Sequence, residues 1–492
     1  MKHKVYSDLK NEINKQNIKC DLEKLDRAWE FAQIAHSGQK RLTGESYVFH
    51  PLTVSIILAT WRMDEASIIA GLLHDTVEDC GVSLGELEKE FGDEVTILVD
   101  GVTNVSHIRL KGSTEGEFVE NLRKMFLVMA KDLRVVIIKF ADRLHNMRTL
   151  DPLPPLKRVK IASETLEVFA PLAERLGMGQ VRAELDDLAF AYVYPKKYER
   201  VLGESRKHFL MAEEHLRLMR EKVKRELKNE KVECEIQTRE KHLYSLWKKL
   251  ERVEIGWDFE KVHDIVAMRI IVREVSECYV ALGVVHKIFK PVPHLGISDF
   301  IAQPKPNGYR SIHTKVFGPE GRIVEAQIRT VQMNEQAEYG VAAHWAYSDA
   351  KAKGMNNELL EAGAVKVSGN KLSWVKQLVD WQKEIKDSEE YMRSVKFDAL
   401  NHRNFVFSPK GDVYDLPSGA TPVDFAFAVH TDLGSYVKGA KVNGRVVPLS
   451  YKLSSGDVVE IIKSKNSSKP SSGWLDFVTT TAAKRRIKRM VE

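Results

Sequence analysis

Only four cysteines occur in the 492 residues, at positions 20, 80, 234 and 278. None are close enough to form a Cys-x-x-Cys pair, which argues against a zinc ribbon or a redox dithiol, and so sparse a count suits a reducing compartment. Long apolar runs are missing too. No stretch of 18 apolar residues exists, so no membrane-spanning helix is expected. The opening Met1-Lys2-His3-Lys4-Val5 lacks the apolar core of a secretory leader. There is no P-loop signature, no Gly-x-Ser-x-Gly nucleophile turn and no internal repeat. Neither sign of charge dominates: 75 basic against 69 acidic residues leave +6, which permits an anionic ligand without demanding one. A cytoplasmic protein without membrane contact is the expectation.

What is present reads as globular. Hydrophobic residues make up 43% and charged residues 29%, an ordinary balance that argues against general disorder. The length suggests about three domains. Residues 1–195 read as helices, with apolar residues at helical spacing in 25–35, 66–77 and 133–147. A charged helical run over 204–231 looks like a connector, and from Ala183 onward no flexible tether interrupts it. The texture then becomes α+β. Segments 232–239 and 264–273 read as strands, and 311–317 and 322–329 flank Gly318-Pro-Glu-Gly321 as a hairpin. Residues 351–400 read as a linker followed by a helix over 374–392. From 401 to 465 short strands, turns at Pro409-Lys-Gly411 and Asn443-Gly444 and one short helix form a β-rich module. Residues 466–492 end in a basic tail, Lys484-Arg-Arg-Ile-Lys-Arg489.

Two constellations carry chemistry. The first is His50 before Pro51, His74-Asp75 inside a helical pattern with Glu78 and Asp79 on the same face, and Asp142 four residues ahead of Asn146 on another apolar helix. Carboxylates and imidazoles on apolar helices are costly without a partner. A divalent metal serves them all, and two imidazoles with two carboxylates suit Mn²⁺, Fe²⁺ or Zn²⁺ better than Ca²⁺. This ordered set has the pattern of the HD phosphohydrolases. Glu78 and Asp79 can position or deprotonate a water. Arg41 could hold an anionic substrate or be a solvated loop charge.

The second lies in the middle block. Lys241, Ser245 and Lys248 would share a helix face beside Lys249, able to grip a triphosphate or simply to face solvent. Lys305-Pro-Asn-Gly-Tyr-Arg-Ser-Ile-His313 gathers a cation, an amide, an aromatic ring and an imidazole around one glycine, a mixture suited to a purine. Glu325, Gln327 and Arg329 alternate with apolar residues and so share one sheet face. Asp264 and Glu325 could jointly hold Mg²⁺ on a triphosphate.

These motifs together resemble the long RelA/SpoT homologues over nearly the whole chain. The resemblance rests on Tyr47-Val-Phe-His-Pro51, Gly71-Leu-Leu-His-Asp-Thr-Val-Glu-Asp79, Lys139-Phe-Ala-Asp-Arg-Leu-His-Asn-Met-Arg-Thr149 and Ala170-Pro-Leu-Ala-Glu-Arg-Leu-Gly177. It continues in Pro306-Asn-Gly-Tyr-Arg-Ser-Ile-His-Thr314 and Glu335-Gln-Ala-Glu-Tyr-Gly-Val-Ala-Ala-His-Trp345. Residues 422–431 and 439–444 resemble a TGS domain. The implied architecture is multidomain: an all-α HD hydrolase domain (1–195), an α+β nucleotidyltransferase-like synthetase domain with its connector (196–350), and a small β-grasp-like TGS domain (401–465). The implied activities are transfer of pyrophosphate from ATP to the 3′-hydroxyl of GDP or GTP, and hydrolysis of the resulting (p)ppGpp. In the synthetase, the resemblance assigns Arg239, Lys241 and Lys249 to ATP phosphates, Asp264 and Glu325 to Mg²⁺, Glu325 also to base catalysis, and Lys305, Asn307, Tyr309 and His313 to the guanine nucleotide. In the hydrolase it assigns His50, His74, Asp75 and Asp142 to Mn²⁺, Glu78 and Asp79 to water, and Arg41 and Asn146 to substrate. It further implies tRNA or ribosome contact through the TGS domain. Two other readings fit the same motifs: a hydrolase whose middle block only senses nucleotide, and a tRNA- or ribosome-binding regulator.

Overall fold

The computed structural model describes residues 4–106, 125–262, 264–293, 296–305, 307–343, 403–464 and 470–491. The expected linker and the helix over 374–392 lie outside the described residues. Contacts divide the chain into two units. The first comprises 1–110, 127–302 and 308–366, and the second comprises 367–492 with 303–307 and 111–126.

The N-terminal half of the first unit is helical, as its apolar spacing predicts. Three helices build its centre: Phe49–Thr60, Glu65–Leu73 and Arg134–Arg148. The first two are buried along almost their entire length, so they read as continuous apolar runs rather than amphipathic stripes. Their close approach depends on Gly71. A Cβ there would stand 2.6 Å from Leu58 Cδ1 and 2.9 Å from Ser55 Oγ. The helix expected across 66–77 is in fact broken. It ends at Leu73, with His74 as C-cap, and a five-residue helix Thr76–Cys80 starts after Asp75. No glycine or proline marks this break. Thr76 Oγ1 donates to the Leu73 carbonyl and the His74 ring bonds the Gly71 carbonyl, so side chains close the helix end.

The connector is two helices, not one. Gly179–Val193 and the 35-residue Pro195–Asn229 are separated at Tyr194, whose φ of −131° and ψ of 58° reflect the restriction on a residue preceding proline. Helix 179–193 packs against helix 134–148 of the helical half and against helix Leu243–Leu250 of the mixed half.

The mixed half is a five-stranded sheet in the order β1-β2-β5-β4-β3. Its strands are β1 (Glu235–Glu240), β2 (Val266–Val272), β3 (Ile297–Asp299), β4 (Ile312–Phe317) and β5 (Ile323–Thr330). Only β2 and β5 pair in parallel, and β4 and β5 form the expected hairpin. Helix Val331–Tyr339 follows β5 and ends at Gly340. That glycine has φ 55° and lies against the Leu176 and Gly177 backbone, where no side chain would fit.

The second unit carries the hairpin β6 (Arg403–Phe407) and β7 (Val413–Pro417), and the strands β8 (Val437–Val442), β9 (Arg445–Val447) and β10 (Val459–Lys463), which form a sheet in the order β10-β8-β9. Asn443 and Gly444, both at positive φ, make the β8–β9 turn, as the Asn-Gly pair predicts. The basic tail is an amphipathic helix, Thr481–Val491. Its Ala483 and Ile487 are buried with Val423 and Phe427, so its basic residues occupy the remaining face.

Replacing Gly71 by alanine should force the two central helices apart. The expected cost is the roughly 1–3 kcal/mol of an overpacked core, read as a lowered midpoint for the first unit in thermal denaturation. An unchanged midpoint would mean that this contact is not rigid.

Candidate metal centre and nucleotide site

His50 sits in the first turn of its helix, where Pro51 needs no amide partner. His74 and Asp75 occupy the helix break, and Asp142 lies midway along helix 134–148. The four converge. His50 Nε2 is 3.3 Å from Asp142 Oδ1 and 3.6 Å from Asp75 Oδ2, and His74 Nε2 is 3.1 Å from Asp75 Oδ1. Single ligand atoms of His50, His74 and Asp142 all lie within 4.8 Å of one another, and all three residues are buried.

The protons settle what this cluster needs. His74 Nδ1 lies 2.9 Å from the Gly71 carbonyl, which can only accept, so Nδ1 carries the hydrogen. Nε2 is then a bare lone pair. It is buried, has no hydrogen-bond partner among the described residues, and faces a carboxylate. Burial pushes the His50 imidazole toward its neutral form. Burial opposes ionisation of Asp142, but Lys139, whose Nζ is 2.7 Å from Oδ2, and His50 outweigh it and hold the carboxyl well below its usual range. At His74 an acceptor faces a carboxylate in a buried site, which fits a divalent cation.

Around the cluster, Asn146 Nδ2 donates to Asp142 Oδ1 at 2.5 Å, and Arg41 donates to Asn146 Oδ1 and Thr149 Oγ1, both at 3.2 Å. Arg41 is therefore no solvated loop charge. Asp79 is exposed and Glu78 half-buried on the short helix, at the rim of the cluster. Three residues escaped the sequence reading. Tyr47 lies within hydrogen-bond reach of Asp75 Oδ2 (2.9 Å) and Asp79 Oδ2 (3.3 Å), tying a cluster carboxylate to the rim. His145 Nδ1 lies 2.7 Å from His50 Nδ1, and burial holds its pKa at about 3. Lys139 is one helical turn before Asp142. All three stand inside the motifs given above, and for Lys139 and His145 the signal available was helical spacing from Asp142.

The second site is built on β2 and β5. Lys241 is not on the basic helix, which begins at Leu243, so the expected shared face of Lys241, Ser245 and Lys248 does not form. Lys241 follows β1 and its amide donates to the Ile265 carbonyl. Lys248 instead lies over the Tyr244 and Trp247 rings. Lys241 and Lys249 nevertheless meet: their ammonium groups grip the two oxygens of Asp264 at 2.8 and 2.7 Å. Burial opposes ionisation of Asp264, but the two lysines hold its carboxyl below the usual range.

Glu325, Gln327 and Arg329 share a face, as period two requires, and that face is largely buried. Tyr309 Oη lies 2.7 Å from His313 Nε2, and His313 Nδ1 is 3.3 Å from Glu325 Oε1. Gln327 Nε2 donates to Glu325 Oε2. Burial would raise the Glu325 pKa; His313 and Gln327 bring it down to about 2. Arg329 is only 2% exposed, and its Nε and Nη2 have no hydrogen-bond partner among the described residues. Burial and neighbouring Arg269 lower its pKa to about 10. Glu338 answers both guanidiniums, 2.8 Å from Arg269 and 3.8 Å from Arg329. Arg239 stands exposed at the end of β1. Lys305 and Asn307 fall in the second unit, where Lys305 Nζ lies 5.9 Å from the centre of the Phe405 ring.

Comparison with known proteins adds the lineage. An HD domain matches residues 28–179, the region found in RelA / SpoT proteins matches 238–352, and a TGS domain matches 404–463. The chain is 46% identical over 475 residues to the GTP pyrophosphokinase of Streptomyces coelicolor, covering 95% of this chain and 55% of that one. It is 46% identical over 474 residues to the guanosine-3′,5′-bis(diphosphate) 3′-pyrophosphohydrolase of Aquifex aeolicus, covering 96% and 65%. It is also 46% identical over 472 residues to the bifunctional (p)ppGpp synthase/hydrolase RelA of Mycobacterium tuberculosis, covering 96% and 63%. The chain thus spans between 55% and 65% of the length of these relatives. No helix among the described residues is long and apolar enough to cross a membrane.

Removal of one cluster side chain tests the metal assignment without any substrate. His74→Ala or Asp142→Ala should weaken divalent-cation binding by more than the roughly 10–100-fold that loss of an outer partner costs. Calorimetric titration of the metal-stripped protein measures this. Unchanged affinity in Asp142→Ala would remove Asp142 from the ligand set.

Proposed function

The chain belongs to the RelA/SpoT family, and from that premise we propose that it is a bifunctional alarmone enzyme which both makes and hydrolyses (p)ppGpp. The observation that carries the reading is the coexistence, in one unit, of a buried His/Asp cluster whose donor set fits a cation and a separate sheet face with its charged groups intact. The hydrolase is assigned to 1–195, the synthetase to 196–350, and a TGS domain, with tRNA or ribosome contact, to 401–465.

For hydrolysis, His50, His74, Asp75 and Asp142 would hold Mn²⁺. A divalent metal bound there supplies Lewis acidity toward a phosphoryl oxygen and lowers the pKa of a bound water. Glu78 and Asp79 take the proton of the attacking water, with Tyr47 holding Asp79 against Asp75. The bond between phosphorus and the 3′-oxygen breaks, that oxygen is protonated, and GDP or GTP leaves with pyrophosphate. Arg41 and Asn146, already bonded to each other, exchange that bond for the anionic nucleotide.

For synthesis, Arg239, Lys241 and Lys249 bind the ATP phosphates, and Asp264 with Glu325 hold Mg²⁺. Lys305, Asn307, Tyr309 and His313 hold GDP or GTP. Glu325 removes the 3′-hydroxyl proton, the new O–P bond forms at the β-phosphorus, and AMP departs with the bonding electrons. At a pKa of about 2, Glu325 is ionised but weakly basic while His313 bonds it. Turning His313 to the nucleotide would release that hold and make Glu325 a better base when substrate is present. Two half-buried carboxylates, two lysines and an imidazole favour catalysis here over a sensor role.

Incubation with labelled ATP and GDP should yield a guanosine tetraphosphate, and added ppGpp should be degraded in the presence of Mn²⁺. Glu325→Gln should lower synthesis by at least about 10²-fold, the lower end of what a positioned base contributes, with hydrolysis intact. A loss below tenfold would return Glu325 to a structural strand position. Hydrolysis without synthesis in the unaltered chain would favour the nucleotide-sensor reading.

A further inference from the structure

The helix that presents Lys249 has no cap of its own. At Leu243–Leu250 the N-cap residue is His242, whose side chain makes no capping bond. The exposed amides of the first turn are met from far along the chain. Asp187 Oδ1 accepts from Tyr244 N at 2.9 Å, Asp187 Oδ2 accepts from Leu243 N at 3.3 Å, and Oδ2 lies 3.1 Å from His242 Nδ1. Asp187 stands on helix 179–193, between the matched HD domain and the matched RelA/SpoT region and inside neither. It belongs to no motif assigned above.

We propose that Asp187 is a positioning residue of the synthetase: a carboxylate cap supplied from the connector that fixes the orientation of helix 243–250 and so aims Lys249 and the adjoining Lys241. The inference rests on the reading of those lysines as ATP-phosphate ligands. An ionised cap at a helix N-terminus answers both the free amides and the positive end of the helix dipole. This helix has only eight residues, about 12 Å, so a tilt at its start is carried directly to Lys249 near its end. The cap itself is rigidly held. The neighbouring Asp186 is buried and bonded by Arg182 Nε at 3.2 Å, Arg182 also bonds Glu174, and Glu184 is paired with Arg148 at 2.6 Å. Helix 179–193 is thereby anchored to the hydrolase-like half on one side while it sets the phosphate-binding helix on the other. Misplacing a binding group by about 1 Å can cost about 10²-fold in rate.

The test uses the full chain and five proteins: unaltered, Asp187→Ala, Asp187→Asn, Lys249→Ala, and the Asp187→Ala/Lys249→Ala double variant that completes a cycle. Asp187→Ala should raise KM for ATP by roughly tenfold, a moderate share of that positioning effect, while KM for GDP and the rate of ppGpp hydrolysis stay within twofold. Asp187→Asn keeps an acceptor oxygen and caps nearly as well, so it should recover most of the ATP affinity. Because Asp187 acts through Lys249, its loss should add little once Lys249 is gone. Synthesis that is lost in Lys249→Ala but untouched in Asp187→Ala would overturn this inference alone. Equal loss of synthesis and hydrolysis in Asp187→Ala, failure of Asp187→Asn to rescue, or full additivity in the double variant would each reduce Asp187 to a general structural role and overturn it. Absence of synthesis from the unaltered chain would overturn both this inference and the proposed activity.

Discussion

Everything in the N-terminal half follows from placing two imidazoles and two carboxylates in contact within an apolar helical core. Such groups repel or starve one another without a cation between them, and burial removes the water that would screen them. The surrounding structure serves that constraint. Gly71 lets two helices approach closely enough for His50 and His74 to meet. The break after Leu73 turns Asp75 toward both imidazoles instead of letting it continue around a helix. The Gly71 carbonyl fixes the His74 proton on Nδ1 and leaves Nε2 bare. Lys139 then takes the Asp142 oxygen turned away from His50, while Asn146 and Tyr47 share with His50 the nearer oxygens of Asp142 and Asp75.

The sheet-based site meets the same problem by different means. Its half-buried carboxylates are compensated by side chains: two ammonium groups on Asp264, an imidazole and an amide on Glu325. Its guanidiniums outnumber their counter-charges, and Arg329 is buried with two donors unspent. A site that already carries its own cations suits a ligand that brings a polyanion together with its own metal. The two sites thus differ in kind: one gathers imidazoles and carboxylates that fit a cation, and the other surrounds its carboxylates with side-chain cations.

Much of this was legible in the sequence, and the gaps have identifiable causes. The His/Asp cluster was readable because an imidazole or carboxylate on an apolar helix is costly to bury without a partner, and the β4–β5 hairpin because Gly318 to Gly321 interrupts two alternating runs. The break at His74-Asp75 was not, since side-chain bonds end the helix where no glycine or proline does. Lys241 was misread as helical because the segment after it has strong helical spacing, and the boundary lay two residues later than the pattern suggested. Tyr194 breaks the connector through the restriction imposed by Pro195, a signal that was present and unused. The helix of the basic tail went unread because its run of charges hides Ala483 and Ile487, the apolar positions that bury one face. Asp187 could not have been found by local reading at all: its partners lie 55 to 57 residues away, and only tertiary packing brings a cap from one helix to the start of another.

Whether the buried cluster is a metal site distinct from the nucleotide site decides between one phosphate chemistry and two. Crystals grown with Mn²⁺ and measured at the manganese absorption edge test this directly. The expected result is an anomalous peak within bonding distance of His50 Nε2, His74 Nε2, Asp75 and Asp142, present without any nucleotide. Absence of that peak in protein shown to be loaded with manganese, or a peak at Asp264 and Glu325 alone, would contradict it.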